Sequence, residues 1–489
     1  MRSFLTLLWL LVVLPQRSSQ AQGGSQQERS SRSHALAFGS CNHAEKQGLW
    51  KTIEKNSRPD GLILLGDNVY ADRMQGHKFM AANATHLKYQ YQLLSENDEL
   101  RSLLGSMGGI TSLSATWDDH DYGINNGDKT YALRNFSQSC FWDWMHEPSD
   151  SQRRLQSGVY SSKTVEFGNF TYKIVLLDSR SNKDPVGTLN GDFLGEEQWA
   201  WLAHQLADPA PNLIILGSSI QILPEDKILE ETWTEFPVAR QRLLNLIGLH
   251  TAAPNLVLLS GDVHTGEVLQ SKCRYVHDDD RDGIGGLSTA SEFRLYEFTS
   301  SGLSHTFSKT TRKASEIRNK ALPEGQYVEQ VSKGRLYELA YDMYVATGAA
   351  LFREHRFRDH YKGLHYGLME FYLPTPESGD EVDSAVQPYL KVSIVDHTGE
   401  TVIFRSLPLK THGASSWAGG QPYKKKATIV DCQPYWGRVS RWRIDLARYA
   451  LLLIPFIFIA LPAGLVVFFI LSLVMSACGS KITRKQKSV

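Results

Sequence analysis

Four short segments set metal-seeking side chains directly after apolar runs and a sharp turn. They are Phe38-Gly39-Ser40-Cys41-Asn42-His43, Leu65-Gly66-Asp67-Asn68-Val69-Tyr70, Thr116-Trp117-Asp118-Asp119-His120-Asp121 and Leu259-Ser260-Gly261-Asp262-Val263-His264. Sorted by hardness, Cys41, Tyr70 and His264 make a mixed sulfur, oxygen and nitrogen set, whereas Asp67, Asp119 and Asp262 make an all-carboxylate set. Thiolate and imidazole suit iron or zinc, and carboxylates suit calcium, magnesium or manganese. The two sets therefore imply two unlike metals, with Asp67 placed to bridge them. Metals ~3.5–4 Å apart clamp a phosphoryl group and generate hydroxide near neutral pH. His120, next to Asp119, is then placed as general acid for a leaving-group oxygen. Asn42, Asp118 and Asp121 are further polar candidates in the same turns.

Each segment alone has an ordinary reading. Asp after a strand often caps a turn, and a lone Cys is more often a small hydrophobe or half a disulfide. The four together, each behind an apolar run, favour chemistry. The elements that must position them are buried strands such as Leu62-Ile63-Leu64-Leu65 and Leu256-Val257-Leu258-Leu259. In α/β sheets, ligands gather where loops leave the carboxyl ends of strands. Lys173 to Asp178 and Leu213 to Gly217 read as further strands, and Glu196 to Leu206 and Pro237 to His250 as helices. After residue 365 the texture changes to short strands: Leu368 to Leu373, Tyr389 to Val395 and Glu400 to Phe404. Met74 to Glu99 and Asp278 to Glu292 read as selectivity loops. The acidic run Asp278 to Gly283 has the spacing of a calcium loop, but Thr289 stands where that loop needs Glu.

The chain has 489 residues, 42% of them hydrophobic, and 52 basic residues balance 52 acidic ones. No nucleic-acid-binding surface is evident in that balance. Residues 1–21 read as a secretory signal peptide: Arg2, an apolar Phe4 to Leu14 and small residues near Ala21. Residues 34–410 read as one α/β unit and 411–448 as a juxtamembrane stem. From Tyr449 to Cys478 no residue is charged, which is long enough for a C-terminal transmembrane helix. Residues 479–489 would be a cytosolic tail. Lys485 and Lys487 stand fifth and third from its end, as in retrieval signals to the endoplasmic reticulum; the plasma membrane is the alternative. Sequons at Asn83, Asn135 and Asn169 fit a lumenal, glycosylated body. With Cys41 as a ligand, Cys140, Cys273 and Cys432 allow at most one disulfide; four disulfide-bonded cysteines are the alternative.

The ordered set GSCN, GDNVY, TWDDHDYG and LSGDVH resembles the PhoD-like alkaline phosphatases or phosphodiesterases of the calcineurin-like metallophosphoesterase superfamily, as a membrane-anchored eukaryotic-type member. Leu177 to Arg180, Leu194 to Gln198, Gly217 to Gln221 and Tyr296 to Gly302 extend the resemblance across about residues 34–410. It implies two packed mixed β-sheets flanked by helices, and metal-dependent hydrolysis of phosphate mono- or diesters by a metal-activated hydroxide at a binuclear site. It implies Fe3+ held by Cys41, Asp67, Tyr70 and His264, and Ca2+ held by Asp67, Asp119 and Asp262, with Mn, Zn or Mg as alternatives. His120 and Asp67 take the catalytic roles. Arg180, just past a strand end, offers a fork for phosphate oxygens, with a surface salt bridge as its alternative. A catalytically inactive receptor on the same fold is a second reading. A purple-acid-phosphatase-like enzyme is a third, weakened because the chain lacks that group's Gly-His-x-His turn.

Overall fold

Every residue of Gly61–Leu65 is buried, which requires cover on both faces of the strand. Successive side chains in a strand point to opposite faces. Leu62 and Leu64 accordingly join a core of helical residues, among them Trp50, Ile53, Leu87, Leu103 and Phe141. Ile63 and Leu65 join a second core with Ile174, Leu176, Ile215, Leu259 and Phe298 from another sheet. Ala35 and Ala37 against Leu36 and Phe38 repeat the alternation one strand away.

The structure, a computed structural model, describes residues 32–46, 48–75, 78–225, 227, 230–251, 253–277, 292–306, 359–374, 387–410 and 427–434. Its strands are β1 (His34–Gly39), β2 (Gly61–Leu65), β3 (Arg73–Gln75), β4 (Lys78–Met80), β5 (Leu113–Thr116), β6 (Ser161–Phe167), β7 (Phe170–Leu176) and β8 (Leu213–Gly217). They continue as β9 (Asn255–Ser260), β10 (Gly266–His277), β11 (Glu292–Ser300), β12 (Asp359–Tyr361), β13 (His365–Tyr372), β14 (Tyr389–Asp396), β15 (Thr401–Pro408) and β16 (Ala427–Pro434). Helices are α1 (Trp50–Asn56), α2 (Ala84–Ser95), α3 (Asp98–Ser106), α4 (Asp119–Tyr122), α5 (Arg134–Trp144), α6 (Gly195–Leu206) and α7 (Pro237–His250).

One sheet runs β15-β14-β13-β1-β2-β5; the other runs β12-β10-β11-β9-β8-β7-β6, with β16 on β10. The fold is thus mixed α/β, with two packed mixed sheets flanked by helices. Each sheet has a parallel centre: β1, β2 and β5 in the first, β7, β8, β9 and β11 in the second. The four chemistry-bearing segments all lie just past carboxyl ends of these parallel strands.

Met74 to Glu99 departs from expectation. It holds β3, β4, α2 and the start of α3 rather than a loop. The signal is capping: Asn83 accepts from His86 N–H and Asn97 from Leu100 N–H, each starting a helix. Within the segment read as a stem, β16 pairs with β10, and Cys432 is bonded to Cys273. Cys41 and Cys140 are free thiols.

The chain divides into two compact units. Residues 1–224, 231–310 and 358–433 make the first, which contains both sheets. Of the second, only Glu225, Lys227, Glu230 and Pro434 are described. Among the described residues no helix is long and apolar enough to cross a membrane. The signal peptide, the 449–478 segment, the tail and the acidic run from Asp278 lie outside the described residues.

Candidate metal centre

Backbone strain marks the site before any side chain is considered. Cys41, Asp67, Asp262 and His264 all adopt left-handed φ, at 60°, 50°, 70° and 51°. Such conformations cost non-glycine residues roughly 1–3 kcal/mol and persist where the surroundings over-determine them. Gly66 helps to over-determine them: its φ is +96°, and a Cβ there would stand 2.6 Å from Asp118 Cβ. Asp121 does the rest. Its carboxylate accepts Asn68 N–H at 2.9 Å, Val69 N–H at 3.2 Å and Asp118 N–H at 2.9 Å. One buried acid thus ties the second turn to the third. Asn42 ties the first to the second, with its N–H on Asp67 O at 2.7 Å and its Nδ2 on Asn68 O at 3.0 Å.

The sequence-derived candidates converge. Cys41 Sγ lies 3.6 Å from Asp67 Oδ2, and Tyr70 OH donates to that oxygen at 3.0 Å. Ligand atoms of Asp67, Asp119 and His120 lie within 4.8 Å of one another, as do those of Asp118, Asp119 and Asp262. His264 belongs to neither triad; its backbone N–H donates to Ser301 Oγ at 2.8 Å, and its ring packs on His305 at 4.5 Å. His120 Nδ1 meets Asp72 Oδ1 at 2.7 Å, and Asp72 Oδ2 is held by Asn125 N–H.

The donor chemistry fits cations. Asp67 Oδ1, Asp118 Oδ2 and Asp119 Oδ1 are buried with no hydrogen-bond partner, a costly state for carboxylate oxygens. Burial pushes the Cys41 thiol, the Asp67 carboxyl and the Tyr70 phenol well above their ordinary values. A bound cation would favour the deprotonated forms that burial alone disfavours. Asp119 differs. Burial would raise it, but His120, Arg180 and the Asn126 N–H bring it down to about 2. Burial disfavours a charged His120, yet Asp119, Asp67 and Asp72 hold it well above the usual imidazole range.

Arg180, expected at the phosphate, is fully buried. Its Nε donates to Asp118 Oδ1 and its Nη1 to Glu231 Oε2, both at 2.5 Å. Lys183 Nζ also donates to Glu231. A surface salt bridge is excluded, since all four groups are 3% exposed or less. Nη2 of Arg180 has no hydrogen-bond partner.

Sequence reasoning missed Asp72, His305, Ser301 as a contact of Cys41, and Glu231 and Lys183 as partners of Arg180. It quoted His43 without a role. His43 stacks on Tyr70 at 5.3 Å, and Tyr70 lies 4.2 Å from His120 and 5.0 Å from His305. Burial lowers His43 to about 3 and His264 to about 4, and takes His305 well down, so these three rings are neutral. One signal was available: Ser301 follows β11 as directly as Asp262 follows β9. The sequons sit at exposed Asn83, Asn135 and Asn169.

A family model described as PhoD-like phosphatase matches residues 36–341. No curated protein matches the chain. A solved structure titled "Structure of PhoD" aligns at 16% identity and TM-score 0.43, covering 78% of this chain and 73% of that one. A 5'-nucleotidase precursor from Thermus thermophilus aligns at 9% identity and TM-score 0.29, covering 86% of this chain and 58% of that one.

Proposed function

The chain belongs to the PhoD-like phosphatase family of phosphoric ester hydrolases, and from that membership we propose that it hydrolyses phosphate mono- or diesters at a binuclear metal centre. Cys41, Asp67, Tyr70 and His264 would hold iron, and Asp67, Asp119 and Asp262 would hold calcium, with manganese, zinc or magnesium as other occupants of the carboxylate set. The observation that carries this reading is the convergence of the candidate acids beside the Cys41 thiol, with buried oxygens of Asp67, Asp118 and Asp119 left orphaned. When bound, the metals supply a nucleophile near neutral pH and charge for the phosphoryl oxygens.

The chain's own residues do the remaining work. Asp72 accepts the Nδ1 proton of His120, which fixes the ring and leaves Nε2 to carry a proton to the leaving-group oxygen. Asn126 N–H and Asp121 hold Asp119 and its neighbouring turns in place. Arg180 serves this site through Asp118, whose Oδ1 it grips, and its Nη2 is the part left to face a phosphate. The neutral rings of His43 and His305, packed on Tyr70, form a wall for the ester's organic group.

The test is turnover of aryl phosphate mono- and diesters by the purified chain with calcium present. No turnover above an Asp67→Asn control would end the reading.

The same proposal places the catalytic body in the lumen of the secretory pathway, anchored by residues 449–478 as a type I membrane protein of the endoplasmic reticulum. The exposed sequons and the Cys273–Cys432 bond support an oxidising compartment. Glycans that stay endoglycosidase-sensitive until Lys485 and Lys487 are both changed to Ser are the expected result. Glycans insensitive in the unaltered chain would refute retention there.

A further inference from the structure

Two hydroxyls lie beside the Cys41 sulfur, and they differ in where their protons go. Ser40 Oγ, 3.5 Å from Sγ, donates to Ser300 O at 3.3 Å. Ser301 Oγ is closer, at 2.9 Å from Sγ. That oxygen already accepts the His264 N–H at 2.8 Å. A hydroxyl has one proton, and the sulfur is the acceptor within reach of it. Were the sulfur the donor instead, Ser301, fully buried, would hold a hydroxyl proton with no acceptor among the described residues, which is disfavoured.

Ser301 is itself held. Its backbone N–H donates to His365 Nε2 at 3.1 Å. His365 Nδ1 faces Gly363 O at 2.7 Å, and the Thr265 backbone also lies against the ring; the Ser301 N–H needs an acceptor on Nε2, so the ring's proton sits on Nδ1, where the Gly363 carbonyl accepts it. The ring is fully buried. A Cβ on Gly302, the next residue after Ser301, would stand 2.4 Å from it, so the imidazole packs directly on the backbone it orients.

We propose that Ser301, oriented by His365, is a positioning residue for the metal centre: it donates a hydrogen bond to the Cys41 sulfur and, through the same oxygen, ties that sulfur to the backbone of His264. This rests on the reading of Cys41 as a metal ligand. Outer partners of this kind fix a ligand's orientation and tune its donation to the metal. A hydrogen bond to sulfur withdraws electron density, so thiolate-to-metal charge transfer is held at higher energy.

The experiment strips the purified chain of metal, refills it with cobalt(II) and records the charge-transfer band. The wild type should show a thiolate band that Cys41→Ser abolishes. Ser301→Ala should move it to longer wavelength, and Ser301→Thr should restore it. His365→Leu should shift it the same way, while His365→Gln, whose amide oxygen can accept the Ser301 N–H, should stay near wild type. Should Ser301→Ala fail to fold, Ser301→Cys, a weaker donor of similar size, must shift the band in the same direction. A wild-type band that Ser301→Ala leaves unmoved overturns the proposal while leaving the metal reading intact. A wild type with no thiolate band overturns the metal reading, and this inference with it.

Discussion

Two acid-rich regions lie side by side in this molecule and are neutralised differently. At the rim, Asp67, Asp119 and Asp262 gather with Cys41 and Tyr70. Behind it, Asp118 and Glu231 are matched by Arg180 and Lys183. The rear group contains its own cations; the rim keeps orphaned oxygens on Asp67 and Asp119, shares the orphaned Oδ2 of Asp118 with the rear group, and has left-handed backbone at Cys41, Asp67, Asp262 and His264. Buried charges need partners. A chain that supplies them in one place and withholds them in the next presents, in the second, acidic groups able to bind a metal.

Opposite responses to the same kind of substitution would sharpen that contrast. The largest effect is expected behind the rim. Glu231→Gln leaves Arg180 and Lys183 buried without their shared anion and should lower folding stability by roughly 3–5 kcal/mol, read as a fall in denaturation midpoint at constant slope. At the rim, Asp67→Asn should raise the catalytic barrier by at least ~3 kcal/mol, the scale of lost metal and oxyanion contacts. Its metal-free stability should hold or rise, since an amide needs no cation. Equal destabilisation by both substitutions would break the comparison.

A pH scan adds a third case. Burial lowers His365 to about 4, below the ordinary 6.5 of the unfolded chain. The native state then binds fewer protons than the unfolded one between those values. Stability from this residue is complete above 6.5 and is lost as pH falls through the window to about 4, by about 3 kcal/mol. His365→Gln should flatten that part of the stability–pH curve; an unchanged slope would count against the neutral ring.

The smallest effect concerns the link from Asp72 to His120. Asp72→Asn should slow turnover about 10–100-fold, the usual scale for an outer partner. It should also move the alkaline limb of the rate profile to lower pH, because Asp72 helps to hold the His120 proton. Slower turnover with an unmoved limb would make Asp72 a packing residue only.

Much of the site was legible because its signals are local. Each turn follows its strand within a few residues, so Cys41, Asp67, Tyr70, Asp119, Asp262 and His264 could be named from spacing. The helices at Gly195–Leu206 and Pro237–His250 and the late antiparallel strands were legible from periodicity. The segment from Met74 to Glu99 was misread because its caps, Asn83 and Asn97, look like loop residues until their side chains are seen to accept helix N–H groups. The buried ion-pair setting of Arg180 was not legible for a different reason. Its partner Glu231 is 51 residues away, and no local pattern announces such a pair.

By itself, then, the sequence determined which residue types stand at the ends of buried strands and what chemistry they permit, because hydrophobic period and turn chemistry act over a few residues. Only the tertiary structure decided which polar groups are left without partners. The pairing of Ser301 with Cys41, across 260 residues, and of Asp72 with His120, across 48, depends on two sheets meeting face to face and on helices closing over one of them. Those contacts separate a buried acid that the chain has neutralised from one that awaits an ion. They are fixed by packing, to which side chains far apart in the chain contribute together.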